Sequence, residues 1–264
     1  MLAHPVNLKK AFFENFCLLQ NKHCQIDRIY KKKVKRKFVK MHGRLKIKTT
    51  AQQEAEKKAQ RQEKLQIYQK AMETIFANRK ALKTDPNPEQ KDILIKTQMK
   101  LTSGVLMANP DISTLWNIRK QILNEIIDDN DTKDIILRKE LDLTVQCLQN
   151  NPKSYGAWHH RCWSMLHMFK PHWDYELSLC NKYLSLDERN FHCWDYRRFV
   201  VKHWKIPEDL DPEVSKVDLE LEYSMERINV NFSNYSAWHY RSKLLPMLGN
   251  DKISEEKRRE ELGM

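Results

Sequence analysis

At four places in this chain an asparagine or aspartate is followed seven residues later by a tryptophan and three residues after that by an arginine: Asn109–Trp116–Arg119, Asn151–Trp158–Arg161, Asp187–Trp194–Arg197 and Asn231–Trp238–Arg241. Such recurrence implies an array of similar units, each covering the apolar face of its neighbour, rather than one irregular core. The tryptophan intervals of 42, 36 and 44 residues are too uneven for a tetratricopeptide array and suit a looser stack of helical hairpins. Only 5 Gly and 9 Pro interrupt 264 residues, and no stretch alternates apolar with polar residues, so strands have little support. The expected class is all-α, a right-handed α-α superhelix.

A glycine-free stretch from Thr50 to about Leu82 predicts a long helix with an apolar stripe at Leu65, Tyr68, Met72, Ile75 and Phe76, stopped by Asp85-Pro86-Asn87-Pro88. Paired helices follow over roughly 89–108 with 112–127, 132–149 with 154–168, 174–186 with 190–204, and 214–229 with 234–248. At each joint the Asn or Asp ends the first helix in a left-handed or turn conformation, and Ser154, Asn190 or Asn234 caps the second. Tyr155 with Trp158, and Phe191 with Trp194, stand three apart, which predicts two rings entering the same layer between units. The arginines continue that face and are expected to bind open carbonyls at a neighbouring helix end.

The formal charge of +12 does not belong to the repeats. Residues 1–40 carry eleven Lys and Arg against Glu14 and Asp27, a net +9, which leaves +3 for the remainder. The run Lys31–Lys37 reads as a solvated tail or sequence upstream of a start at Met41, with a nuclear signal or an arm for nucleic acid or acidic membrane as the alternative. Nucleic acid is not an expected partner of the repeats. The apolar patch Ala11–Leu19 is broken by Glu14 and Asn15, so neither a signal peptide nor a membrane span is expected, and the reading is cytoplasmic. Six cysteines without a C-x-x-C pair read as free thiols.

Catalytic signatures are missing from the sequence: there is no glycine-rich phosphate loop, nucleophile elbow or H-E-x-x-H helix. His159-His160 point about 100° apart on a helix and cannot easily share a metal ion. The joints are better candidates, because helix starts expose unpaired N–H groups. Two residues past each Asn or Asp stand Asp111, Lys153, Arg189 and Ser233. Lys153 and Arg189, with His192 beside them, form a candidate cationic edge for a phosphate-bearing ligand; the bland reading is solvated surface Lys and Arg.

The quartet of motifs, with Asn151–Arg161 (NPKSYGAWHHR) as its clearest copy, resembles the repeat of the protein prenyltransferase α subunits. Met41–Thr49 (MHGRLKIKT), Asn190–Val200 and Asn231–Arg241 are most similar to the Rab geranylgeranyltransferase branch of that family. The resemblance covers about residues 41–250, after the basic leader 1–40, and it implies a crescent of helical hairpins around a β subunit that holds zinc. The reaction it implies is transfer of geranylgeranyl from geranylgeranyl diphosphate to C-terminal cysteines of Rab GTPases presented by a Rab escort protein, with this subunit inactive alone. Carried over by position, Lys153 contacts the diphosphate, Tyr155 lines the site, and Asn190 and His192 match the asparagine and histidine of the equivalent joint; Arg189 is added from the repeat geometry. His42 is a candidate extra ligand to the partner's zinc. The shared α subunit of farnesyltransferase and geranylgeranyltransferase type I carries a glutamine where this chain has Gly156, so the contact that reads a CaaX carboxylate is expected to be absent. The chain stops at Met264 where the family continues, which reads as a fragment, short isoform or early-terminated gene product. The competing expectations are a non-catalytic scaffold or regulatory short isoform binding the β subunit or escort protein, and the α subunit of farnesyltransferase and geranylgeranyltransferase type I.

Overall fold

In a computed structural model the described residues are 50–84, 86–127, 130–205 and 215–247. His42, Lys31–Lys37, Cys17, Cys24 and the segment Asp251–Met264 lie outside them. The described helices all fall in the unit Ala51–Met264: α1 (Ala51–Leu82), α2 (Pro88–Ala108), α3 (Ser113–Ile126), α4 (Asn130–Asn150), α5 (Tyr155–His167), α6 (Trp173–Leu186), α7 (Phe191–His203), α8 (Lys216–Val230) and α9 (Tyr235–Leu244), closed by a 3-10 turn, Leu245–Met247. Antiparallel neighbours form the hairpins α2–α3, α4–α5, α6–α7 and α8–α9, and the second helices α3, α5, α7 and α9 touch in succession. The result is an α-α superhelix, as the repeats require.

Each boundary has a local cause. Asn109, Asp187 and Asn231 follow their helices in extended backbone, φ near −140°, not in the left-handed region. Their side-chain oxygens, and that of Asn151, instead accept the backbone N–H two residues on at 3.0–3.2 Å, forming Asx turns that need no positive φ. Ser154, Asn190 and Asn234 then cap α5, α7 and α9 by accepting from Ala157, Cys193 and Ala237 N–H. Each repeat tryptophan donates its indole N–H to a carbonyl six residues earlier, on Pro110, Pro152, Glu188 or Phe232, at 2.8–2.9 Å. The ring thereby folds the corner onto its own helix while satisfying its polar edge.

The arginines do more than the sequence suggested. Arg161 is fully buried; its Nε and Nη2 donate to both oxygens of Glu176 on α6 at 2.7 Å, while Nη1 reaches Leu141 O and Thr144 Oγ1 on α4. Tyr196 on α7 gives Glu176 a third donor at 2.6 Å. The same clamp joins Arg119, Glu140 and His160, and again Arg197, Glu220 and Tyr240. The carbonyls bound, on Met99, Leu141 and Leu221, lie within helices rather than at open ends, because the guanidinium uses a carbonyl's second lone pair. One carboxylate thus ties the first helix of a hairpin to its own second helix and to the hairpin before it.

Two other expectations change. Of the stripe on α1 only Ile75 is buried, while Leu65, Tyr68 and Phe76 face outward. Tyr155 and Phe191 stay exposed at the first residue of their helices, so only Trp158 and Trp194 enter the layers between units. Cys147, Cys162, Cys180 and Cys193 are free thiols. Burial pushes the Cys147 and Cys162 thiols up to about 12, which leaves them protonated and inert at neutral pH.

Removing the acid of one clamp strands a buried guanidinium. Glu176→Ala is expected to destabilise the protein by about 3–5 kcal/mol, against ~1 kcal/mol for Tyr196→Phe, which deletes one hydrogen bond; chemical denaturation compares them. The first clamp differs because His160 replaces tyrosine, sandwiched between Trp116 and Trp163. Burial drives the His160 pKa below 6.5 despite the Glu140 carboxylate at 2.9 Å, with Arg119 and Lys120 lowering it further. The unfolded chain therefore takes up the histidine proton first, and stability falls as pH drops below about 6.5. Burial raises the Glu140 pKa, but the His160 and Arg119 contacts outweigh it and hold it at about 2, so that acid's contribution is lost only below about 4.5. His160→Tyr is expected to flatten the first limb and spare the second in thermal melts across pH.

Candidate functional site

The corners of successive hairpins are linked along one rim. Asn151 Nδ2 donates to Asp111 Oδ2 at 2.9 Å, and Ser154 Oγ to Pro110 O, joining the first corner to the second. Lys153 Nζ lies 3.2 Å from Asp187 Oδ2, and Asn190 Nδ2 donates to Pro152 O at 2.9 Å, joining the second to the third. Arg189 Nη2 donates to Ser233 O at 3.0 Å, and Asn231 to Glu188, joining the third to the fourth. Caps, turns and links use the same few polar residues, so the rim is specified by the chemistry that ends the helices.

On this rim Lys153, Tyr155, Asn190 and His192 come together. The His192 ring is only 6% exposed and meets Tyr155 edge-on at 4.2 Å between centroids. Tyr155 is 70% exposed and presents its ring outward. Burial lowers the His192 pKa; Asp195 and Asp111 raise it and the Lys153 ammonium lowers it, so the imidazole is neutral at neutral pH. Asn190 is buried, its side-chain oxygen accepting from Cys193 N–H to cap α7 and its amide donating to the preceding corner, and this pair of hydrogen bonds places His192 two residues on. Arg189 is exposed, but its guanidinium turns toward the fourth corner, over Tyr235 at 5.9 Å, and contributes to the link there.

Behind Tyr155 and His192 a shallow cleft of about 180 Å³ runs between α5 and α7, lined also by Trp158, His159, Cys162, Asp195 and Tyr196. Sequence reasoning passed over Asp195 and Cys162 here; their i+3 placement from His192 and His159 carried the signal. Among the described residues no group of three His, Cys, Asp or Glu is arranged to hold a metal ion. None of the described helices is long and apolar enough to cross a membrane.

Gly156 has a packing reason of its own. A Cβ there would sit 2.5 Å from Pro110 O and 2.7 Å from Trp116 Nε1, on top of the hydrogen bond that closes the first corner. The third hairpin carries His192 at the equivalent position, two residues before its tryptophan, and there the side chain reaches toward the preceding corner. A glutamine at 156 would first have to displace the first hairpin.

Residues 137–168, 173–204 and 217–248 match the protein prenyltransferase alpha subunit repeat. These are the second to fourth hairpins; the first repeats their Trp and Arg contacts without being matched. The chain is 43% identical over 210 residues to the geranylgeranyl transferase type-2 subunit alpha of Bos taurus, and equally to that of Homo sapiens, spanning 79% of this chain. It is 34% identical over 219 residues to the subunit of the same name from Candida albicans. It spans about a third of the mammalian relatives' length (34%) and 56% of the Candida protein.

If Asn190 positions the rim as described, Asn190→Ala removes the helix cap and the tie to Pro152 together, at a cost of about 1–2 kcal/mol. Asn190→Asp retains the cap oxygen but not the amide donor. Thermal unfolding is expected to rank wild type above Asp and Asp above Ala, with equal values for all three contradicting the double role.

Proposed function

The chain belongs to the protein prenyltransferase α-subunit repeat family, and from that premise we propose that it acts as the α subunit of a geranylgeranyltransferase of type 2. The partner would be a β subunit holding zinc and geranylgeranyl diphosphate, and the acceptors C-terminal cysteines of Rab GTPases presented by a Rab escort protein. The observation that carries this reading is the convergence of Lys153, Tyr155 and His192 from two hairpins onto one exposed rim.

The chemistry divides accordingly. Zinc on the partner would stabilise the acceptor thiolate at neutral pH. As the bond between isoprenoid C1 and the diphosphate oxygen breaks, negative charge grows on the leaving group, and a cation fixed beside it lowers the barrier. Lys153 is half exposed and keeps N–H donors beyond the one directed at Asp187, so its ammonium can meet that charge. Neutral His192 donates or accepts one hydrogen bond without adding charge, and Tyr155 offers a hydroxyl and an aromatic wall. Gly156 leaves no side chain to read a terminal carboxylate at this corner, which favours acceptors delivered by an escort over CaaX peptides.

The test is co-expression with a type-2 β subunit and measurement of geranylgeranyl transfer to a Rab with escort protein. Lys153→Ala is expected to lower the single-turnover rate by about 10–1000-fold with little change in folding. An unchanged rate would remove Lys153 from the mechanism, and assembly without turnover in the wild-type complex would favour a scaffold.

A further inference from the structure

We propose that Asp187 is a positioning residue that holds the Lys153 ammonium in its working place on the rim; this rests on the reading of Lys153 given above. The turn residues of the four corners are Asn109, Asn151, Asp187 and Asn231, and each does the same local work, accepting one backbone N–H through a side-chain oxygen. Asparagine suffices for that task at three corners, so the charge at 187 is surplus to the turn. Its second oxygen lies 3.2 Å from Lys153 Nζ.

The reversal of polarity along the rim supports the assignment. Between the first and second corners the acid, Asp111, precedes and the asparagine, Asn151, donates to it. Between the second and third corners the cation, Lys153, precedes and the corner residue accepts. Lysine two residues past the corner and aspartate at the next corner occur together, once, at the junction that also carries Tyr155 and His192. Aspartate there is one-fifth exposed and lysine one-half, so the carboxylate is anchored and the ammonium is open on its far side.

Lysine carries a compact charge on a stem with four flexible torsions, so an unrestrained ammonium samples many places along the rim. The Asp187 contact restricts it to one, leaving two N–H donors for an incoming anion. The same carboxylate makes the local potential less positive. Removing it is therefore expected to disturb geometry, and with it the rate of the chemical step, without weakening capture of the diphosphate.

The experiment uses the αβ complex with escort protein and Rab. Asp187→Asn keeps the turn oxygen and is expected to leave assembly and thermal unfolding unchanged. It should lower the single-turnover transfer rate at saturating geranylgeranyl diphosphate by about 3–10-fold, with KM for the diphosphate unchanged or lower. In the Lys153→Ala background the same change should have no further effect, because both act through one ammonium. Asp187→Glu, which retains the charge, should recover part of the loss. A D187N rate equal to or above wild type overturns the proposal. So does an additive loss in the double variant, or a fall that tracks lost assembly with the β subunit. If Lys153→Ala is itself fully active, the underlying reading of Lys153 fails; if it is defective while D187N is not, only the positioning role of Asp187 fails.

Discussion

A buried guanidinium must find acceptors or the helices around it will not close, and among the described residues three arginines meet that requirement with a carboxylate. Arg119, Arg161 and Arg197 each engage both oxygens of a glutamate on the following hairpin. Desolvating two charges cancels much of their attraction, so such a pair is a poor source of net stability. Its value lies in intolerance: a hairpin shifted by one turn would bury both charges unpaired. Because His160, Tyr196 and Tyr240 bind the same carboxylates from the next second helix, the clamp sets hairpin against hairpin and helix against helix together.

The rim inherits its geometry from that register. Corner residues reach one another because the units are held in register, and Gly156 allows the first corner to approach the second. Variation then acts on a constant frame. The position two before the tryptophan is Gly156 in one unit and His192 in the next, and the residue two past the corner is acid, lysine, arginine or serine in turn. The fold supplies equivalent positions, and one pair of neighbouring corners collects the residues suited to an anion.

Much of this could be read in the sequence because it repeats at short range. The corner residues and, in three of the four copies, the caps Ser154, Asn190 and Asn234 sit within the same eleven-residue motif as the tryptophan and arginine. The glutamates escaped notice because their distance from the arginines varies, 21, 15 and 23 residues, with the length of the connection between hairpins. A constant was available all the same: Glu140, Glu176 and Glu220 each stand 20 residues before the His or Tyr that binds them. Helical spacing also misplaced Tyr155 and Phe191, since a residue at the first turn of a helix projects past the layer that its i+3 neighbour enters. The rim's electrostatics, such as the neutral state of His192, depend on groups from three hairpins and have no signature in any one motif.

This register is expected to deliver Lys153 to a reacting diphosphate held by another chain. The most direct measurement is a structure of the complex with a type-2 β subunit and an unreactive geranylgeranyl diphosphate analogue. The Lys153 ammonium is expected within hydrogen-bond distance of a diphosphate oxygen, with the corners of α4–α5 and α6–α7 facing the partner. A complex in which those corners face solvent, with the diphosphate bound by the β subunit alone, would contradict it.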